Sequence, residues 1–141
     1  MAETLEEKKK RVKKEFLSLW TYGHKRFYEL IWEACELHER KNRGYATTEN
    51  PLSNFYECEK LGVPAWQGCL VRMSDKWSRI QNLALTETGT HIDDVMQAAK
   101  RMENITDTLF DLGIYSFIDI ILLEEHRARL NDNRKREGSE N

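Results

Sequence analysis

From Trp66 to Ala84 the apolar residues recur at the spacing of one helical face: Trp66, Cys69, Leu70, Met73, Trp77, Ile80 and Ala84. At about 100° per residue this row forms a continuous stripe, and burying such a stripe requires another element packed alongside it. The rest of the chain reads the same way. Only two prolines and seven glycines interrupt its 141 residues, too few for the many turns of a sandwich or barrel. The run Ile114 to Leu123 is apolar and β-prone, but it sits inside a helical pattern with no turn on its N-terminal side. The pattern predicts an all-α chain, an antiparallel helical bundle.

The local signals divide it further. Thr4-Leu-Glu-Glu7 is a capping box, opening a helix from Leu5 to Trp20. That helix carries the basic run Lys8, Lys9, Lys10, Arg11, Lys13 and Lys14, read here as a solvated face balanced by Glu6, Glu7 and Glu15. A second helix spans about His24 to Asn42, with Gly44 terminating it. Tyr45 to Asn54 reads as a loop, followed by a short helical piece from Phe55 to Leu61 closed by Gly62. Pro64 begins a third long helix ending near Leu85. Thr86 to Thr90 is a turn, and one or two helices follow from His91 to about Arg129. The expected organisation is a basic helix over 1–23, a helical domain over 24–130 and a frayed tail over 131–141.

Composition excludes some function classes. The net charge of −2 gives no global basic field for nucleic acid. No run of about 18 apolar residues or apolar leader is present, which points to no membrane partner and a cytoplasmic setting. Three cysteines, Cys35, Cys58 and Cys69, without C-x-x-C spacing, argue against a disulfide framework or zinc knuckle. There is also no phosphate loop of the G-x-x-x-x-G-K type.

Polar residues break the apolar faces in three places. On the second helix Glu33 and Glu36 flank the side built from Phe27, Leu30, Ile31, Ala34 and Leu37, and His38 and Lys41 project onto it. On the third, Arg72, Lys76 and Arg79 form a line of cations with Asp75 adjacent, so something anionic is expected opposite. On the fourth, Glu103, Asp107 and Asp111 recur every four residues and continue into Ile114, Ile118 and Leu122, a line that points inward. Carboxylates gathered inside a protein need cations. A divalent ion such as Mg²⁺, with substrate phosphates completing its shell, meets that need, and so does an ion-pair network with Arg72, Lys76 and Arg79. Apolar residues on more than one side also favour self-association: Trp32 and Cys35 lie off the main face of the second helix, and Phe16, Leu19 and Trp20 lie on the first.

Several strings carry a resemblance: Glu36-Leu-His-Glu-Arg-Lys41-Asn-Arg-Gly-Tyr45, Asn50-Pro-Leu-Ser-Asn54-Phe55, Gly62-Val-Pro-Ala-Trp66, Arg72-Met-Ser-Asp75-Lys76-Trp-Ser-Arg79 and Asp107-Thr-Leu-Phe-Asp111-Leu-Gly-Ile-Tyr115. Together they resemble the phage-enriched nucleotide-modification-associated domain family, which looks like a branch of the MazG-like, all-α nucleoside triphosphate pyrophosphohydrolases. The resemblance covers about residues 27 to 125. It implies Mg²⁺ (or Mn²⁺) held by Glu-x-x-Glu on one helix and Glu-x-x-Asp on a later one. Glu33 and Glu36 fit the first motif. In the second, Asn104 stands three residues before Asp107 and the acid is Glu103.

The resemblance thus implies metal ligands Glu33, Glu36, Glu103, Asp107 and Asp111, with Glu36, Glu103 and Asp107 catalytic. Lys41, Arg72, Lys76 and Arg79 would take the phosphates, and His38, Tyr45, Asn54 and Asp75 the base or sugar. The implied activity is hydrolysis of a (deoxy)nucleoside triphosphate to monophosphate and pyrophosphate by a homodimer or homotetramer, in a host cytoplasm if the gene is a phage's. A nucleotide binder without turnover and a helical interaction adaptor are the alternatives.

Overall fold

The computed structural model describes residues 3–45, 50–84 and 92–139, with the side chains of Tyr45, 92–95 and Ser139 outside that description. Helices account for the secondary structure: α1 (Leu5–Ser18), α2 (Lys25–Tyr45), α3 (Ser53–Tyr56), a 3₁₀ turn (Glu57–Leu61), α4 (Ala65–Ala84) and α5 (Ile92–Ser139), with no strand among the described residues. The all-α expectation holds. The loop expected after Tyr45 lies partly, and the turn from Thr86 to Thr90 wholly, outside the described residues. No helix among the described residues is long and apolar enough to cross a membrane. The chain divides into two units, residues 1–45 and 46–141, so the boundary expected at residue 23 falls inside the first.

In the first unit, α1 opens on the capping box. The Thr4 backbone N–H donates to Glu7 Oε2 (2.9 Å), and the Glu7 N–H donates back to Thr4 Oγ1 (3.3 Å). Aromatic rings join the two helices: Phe16 packs on Trp32 with centroids 5.9 Å apart, and Trp20 stacks on Tyr28 at 5.3 Å. Phe27, expected on the buried side, is mostly exposed, and Tyr28 takes the inner place. Gly44 does not stop α2. A glycine in a last turn costs only about 1 kcal/mol, and the helix runs through it to Tyr45.

The second unit is built on the α4–α5 hairpin with α3 and the 3₁₀ turn against it. Its core consists of Leu52, Phe55, Ala65, Cys69, Ile118 and Leu122, with Tyr56, Trp66, Met73, Ile114 and Tyr115 packed around them. On α4 the inward line is Cys69, Met73, Lys76 and Ile80, spaced four, three and four. Trp77 and Leu70, expected in the stripe, are half exposed instead. Cys69, Met73 and Ile80 thus face inward as expected, and Lys76 takes the inner place expected of Trp77.

Gly62 closes the 3₁₀ turn in the left-handed region, at φ 78°, where a side chain would strain the backbone. Gly68 answers a different need: a Cβ there would stand 2.6 Å from Cys58 Sγ, so only a glycine lets α4 approach the turn this closely. α5 is one helix of 48 residues where one or two were expected. It continues past Arg129 through most of the stretch expected to fray.

Candidate functional site: a cation–aromatic array beside the hairpin

The α4–α5 packing brings together four residues singled out from the sequence. Arg72, one turn after Cys69, lies with its guanidinium carbon 4.9 Å from the centre of the Phe55 ring. Its Nη2 reaches the backbone carbonyl of Asn54 at 3.5 Å. Phe55 meets Tyr115 edge to face, centroids 5.7 Å apart. Lys76 sits 5.0 Å from the centre of the Tyr115 ring and pairs with Asp111 at 2.8 Å. Each cation thus lies against the negative face of an aromatic ring, an arrangement worth about 0.5–2 kcal/mol depending on desolvation. The Asn54 side-chain oxygen is buried without a donor. Arg72 is exposed, and the Lys76 and Asp111 side chains are about three-quarters buried (23% and 27% exposed).

The acids do not gather as expected. Glu103 and Asp107 are exposed, against the inward placement expected of them. Helical drift is the reason: at about 100° per residue, the path from buried Leu122 back to Glu103 ends roughly a quarter-turn off the core face. Only Asp111 stays near that face, and there it meets Lys76. Glu33 is also occupied. Arg26, two turns before it, grips both its oxygens at 2.6 and 3.1 Å and holds its carboxyl below the usual range.

Glu36 is exposed on α2. His38 is half-buried with its Nε2 2.9 Å from the Asn42 amide, and Lys41 is exposed at the end of the helix. Asp75 and Arg79 are exposed on α4, and the Tyr45 side chain lies outside the described residues. No group of three or more His, Cys, Asp or Glu placed to hold a metal ion occurs among the described residues. Glu103 and Asp107 stand one turn apart on α5, and no ion pair joins either to another described residue. Two carboxylates are enough for Mg²⁺ when phosphates and water supply the remaining oxygens.

Sequence reasoning missed Asp119. It is 5% exposed, and its Oδ1 is buried with no donor. Burial pushes its carboxyl up, with the Cys69 thiol acting in the opposite sense. The same burial, with the negative charge of Asp119 next in weight, pushes Cys69 up to about 12, which leaves the buried thiol little thiolate character. The signal was present: Asp119 is the one carboxylate within the apolar run Ile114 to Leu123. Also unforeseen is the brace from the 3₁₀ turn to α5, where Arg129 holds Glu59 through two bonds of 2.9 and 3.0 Å and Tyr56 donates to Glu125.

Comparisons with protein-family models, curated proteins and solved structures found no match to this chain.

Proposed function

We propose that this chain binds a (deoxy)nucleoside triphosphate and, with Mg²⁺, hydrolyses it to the monophosphate and pyrophosphate. The observation that carries the reading is the array of Arg72 on Phe55 and Lys76 on Tyr115 with Asn54 alongside. Guanidinium and ammonium groups neutralise phosphate oxygens; Arg72 is exposed on its ring, whereas Lys76 would have to exchange Asp111 for a phosphate. Glu103 and Asp107 are the residues of this unit that would hold Mg²⁺ on the substrate's phosphates. When bound, Mg²⁺ withdraws charge from phosphate oxygens and acidifies water. A carboxylate left clear of the metal would take the proton of the attacking water.

The resemblance to MazG-like pyrophosphohydrolases points the same way and adds self-association as a homodimer or homotetramer. The exposed Leu70, Val71 and Trp77 on α4 and Phe117, Ile120 and Ile121 on α5 are the apolar surface available for it. The setting proposed is cytoplasmic.

A second reading, binding without turnover, is favoured by one observation: Arg26 and Lys76 already neutralise Glu33 and Asp111, two of the five acids assigned to the metal. A panel of triphosphates incubated with and without Mg²⁺, with pyrophosphate release and direct binding both measured, separates the two. Mg²⁺-dependent pyrophosphate that falls at least about tenfold in Asp107→Asn supports hydrolysis. Binding without release supports the second reading, and absence of binding refutes both.

A further inference from the structure

From Phe16 to Tyr28 the chain carries no acid, while aromatic residues recur through it and His24, Lys25 and Arg26 stand together. This stretch forms the tip between α1 and α2, and its backbone is ordered from within. The chain turns at Gly23 (φ 91°), the Tyr28 hydroxyl donates to the Tyr22 carbonyl, and the Phe27 N–H donates to the His24 carbonyl at 2.9 Å. The inner rings are spent on joining the two helices, Phe16 on Trp32 and Trp20 on Tyr28. The outer side chains are not. Leu19 is 73% and Tyr22 88% exposed, and Trp20 and Phe27 are at least half exposed. A tip held in one shape by its own hydrogen bonds thus puts four large apolar side chains into water, as interaction surfaces do.

Charge indicates what covers it. Residues 1–45 hold eleven Lys and Arg against eight acids, and the remaining residues hold eleven against sixteen. The small net charge of the chain therefore conceals a basic first unit. At the tip Lys25 is exposed and faces Glu29 only at 3.8 Å. On α1 Lys14 is exposed, and no ion pair joins it to another described residue. It stands five residues before Leu19, roughly 8 Å along the axis, comparable to the depth of a lipid headgroup layer. A second copy docked tip to tip would bring Lys25 and Arg26 against their equivalents. A single-stranded nucleic acid needs free ring faces, but Trp20 is already stacked on Tyr28 and Leu19 has no ring.

We propose that the α1–α2 tip docks on an anionic phospholipid membrane. Leu19, Trp20, Tyr22 and Phe27 enter the boundary between headgroups and acyl chains, the layer that favours Trp and Tyr. Lys14 and Lys25 meet the lipid phosphates. Contact of this kind is peripheral and needs no spanning helix. It replaces the expectation of no membrane partner, which rested on the lack of a long apolar run.

The test mixes the full chain with vesicles of phosphatidylcholine, alone or with about one-third phosphatidylserine, and measures cosedimentation. Binding to the anionic vesicles is expected to be at least about tenfold tighter than to the neutral ones, with a blue shift of tryptophan emission that Trp20→Phe abolishes. Leu19→Ser with Tyr22→Ser should weaken binding by at least about tenfold while far-UV circular dichroism and Tm stay unchanged. Lys14→Gln with Lys25→Gln should weaken it by about tenfold. Absence of binding to the anionic vesicles overturns the proposal. Full binding by the Leu19 and Tyr22 variant shows adsorption by the lysine run alone and overturns it as well. An oligomer that the same variant dissociates, or single-stranded DNA bound more tightly than the vesicles and released by that variant, assigns the tip to another partner and overturns it too. Triphosphate hydrolysis plays no part in these readouts, so its failure leaves the result standing.

Discussion

Replacing Asp119 by Asn should stabilise the second unit, and the gain should depend on pH. The carboxyl is 5% exposed, one oxygen has no donor, and burial raises its pKa above the ordinary aspartate value. The folded state therefore holds its proton more tightly than the unfolded chain. Below the unfolded value both states are protonated and the group costs little. As pH rises through the unfolded value toward the raised folded one, the unfolded chain ionises first and stability falls, reaching its full loss above the folded pKa. Asparagine has the same shape and does not titrate. At pH 7.5 the variant should be the more stable by the cost of ionising the buried carboxyl, about 1.4 kcal/mol for each unit by which burial raises its pKa. For a unit of this size each kcal/mol raises Tm by roughly 4–8 °C. At pH 4 the gain should shrink toward zero. Urea unfolding followed by far-UV circular dichroism at both pH values measures it, with equal m-values required for the comparison. A variant no more stable than the parent at pH 7.5, or more stable by the same amount at both pH values, would show that the carboxyl is not paying a desolvation penalty.

Gly68→Ala should destabilise by about 1–3 kcal/mol through overpacking against Cys58, and the loss should be largely recovered in the double variant with Cys58→Ala, read by the same urea titration. Glu59→Gln should cost about 1 kcal/mol at pH 7. Arg129 holds this carboxyl below its usual range, so its contribution is present above the unfolded glutamate value and lost as pH falls through the folded one; parent and variant stabilities should converge near pH 3. Thr4→Ala should remove about 1 kcal/mol from α1, seen as faster amide exchange in its first turn with the second unit unchanged.

Much of the fold was legible because helical periodicity and end signals are local. The capping box at Thr4, the αL closure at Gly62 and the existence of α4 all follow from short stretches of chain. What depends on a neighbour was not. The wheel of α4 gave a stripe, but whether Lys76 or Trp77 faces inward is decided by α5, where Asp111 and Tyr115 offer a cation two partners. The acids of α5 were placed on one line correctly and given the wrong destination, because small drift per turn accumulates over the distance from Leu122 to Glu103. Arg26 stands seven residues before Glu33, a spacing that predicts their pairing, yet the attraction of a Glu-x-x-Glu motif hid it. Asp119 went unremarked because its neighbours are all apolar, which is what makes it unusual.

The length of α5 has a consequence of its own. At about 1.5 Å per residue its 48 residues reach roughly 70 Å, more than twice the span of α4. Every residue from Leu130 to Gly138 is exposed, so beyond the Arg129–Glu59 brace that stretch relies mainly on backbone bonding and helix propensity. One uninterrupted rod thereby contains two thermal regimes. The turns around Leu122 melt only when the second unit does, whereas the distal turns unwind and rewind on the timescale of an isolated peptide.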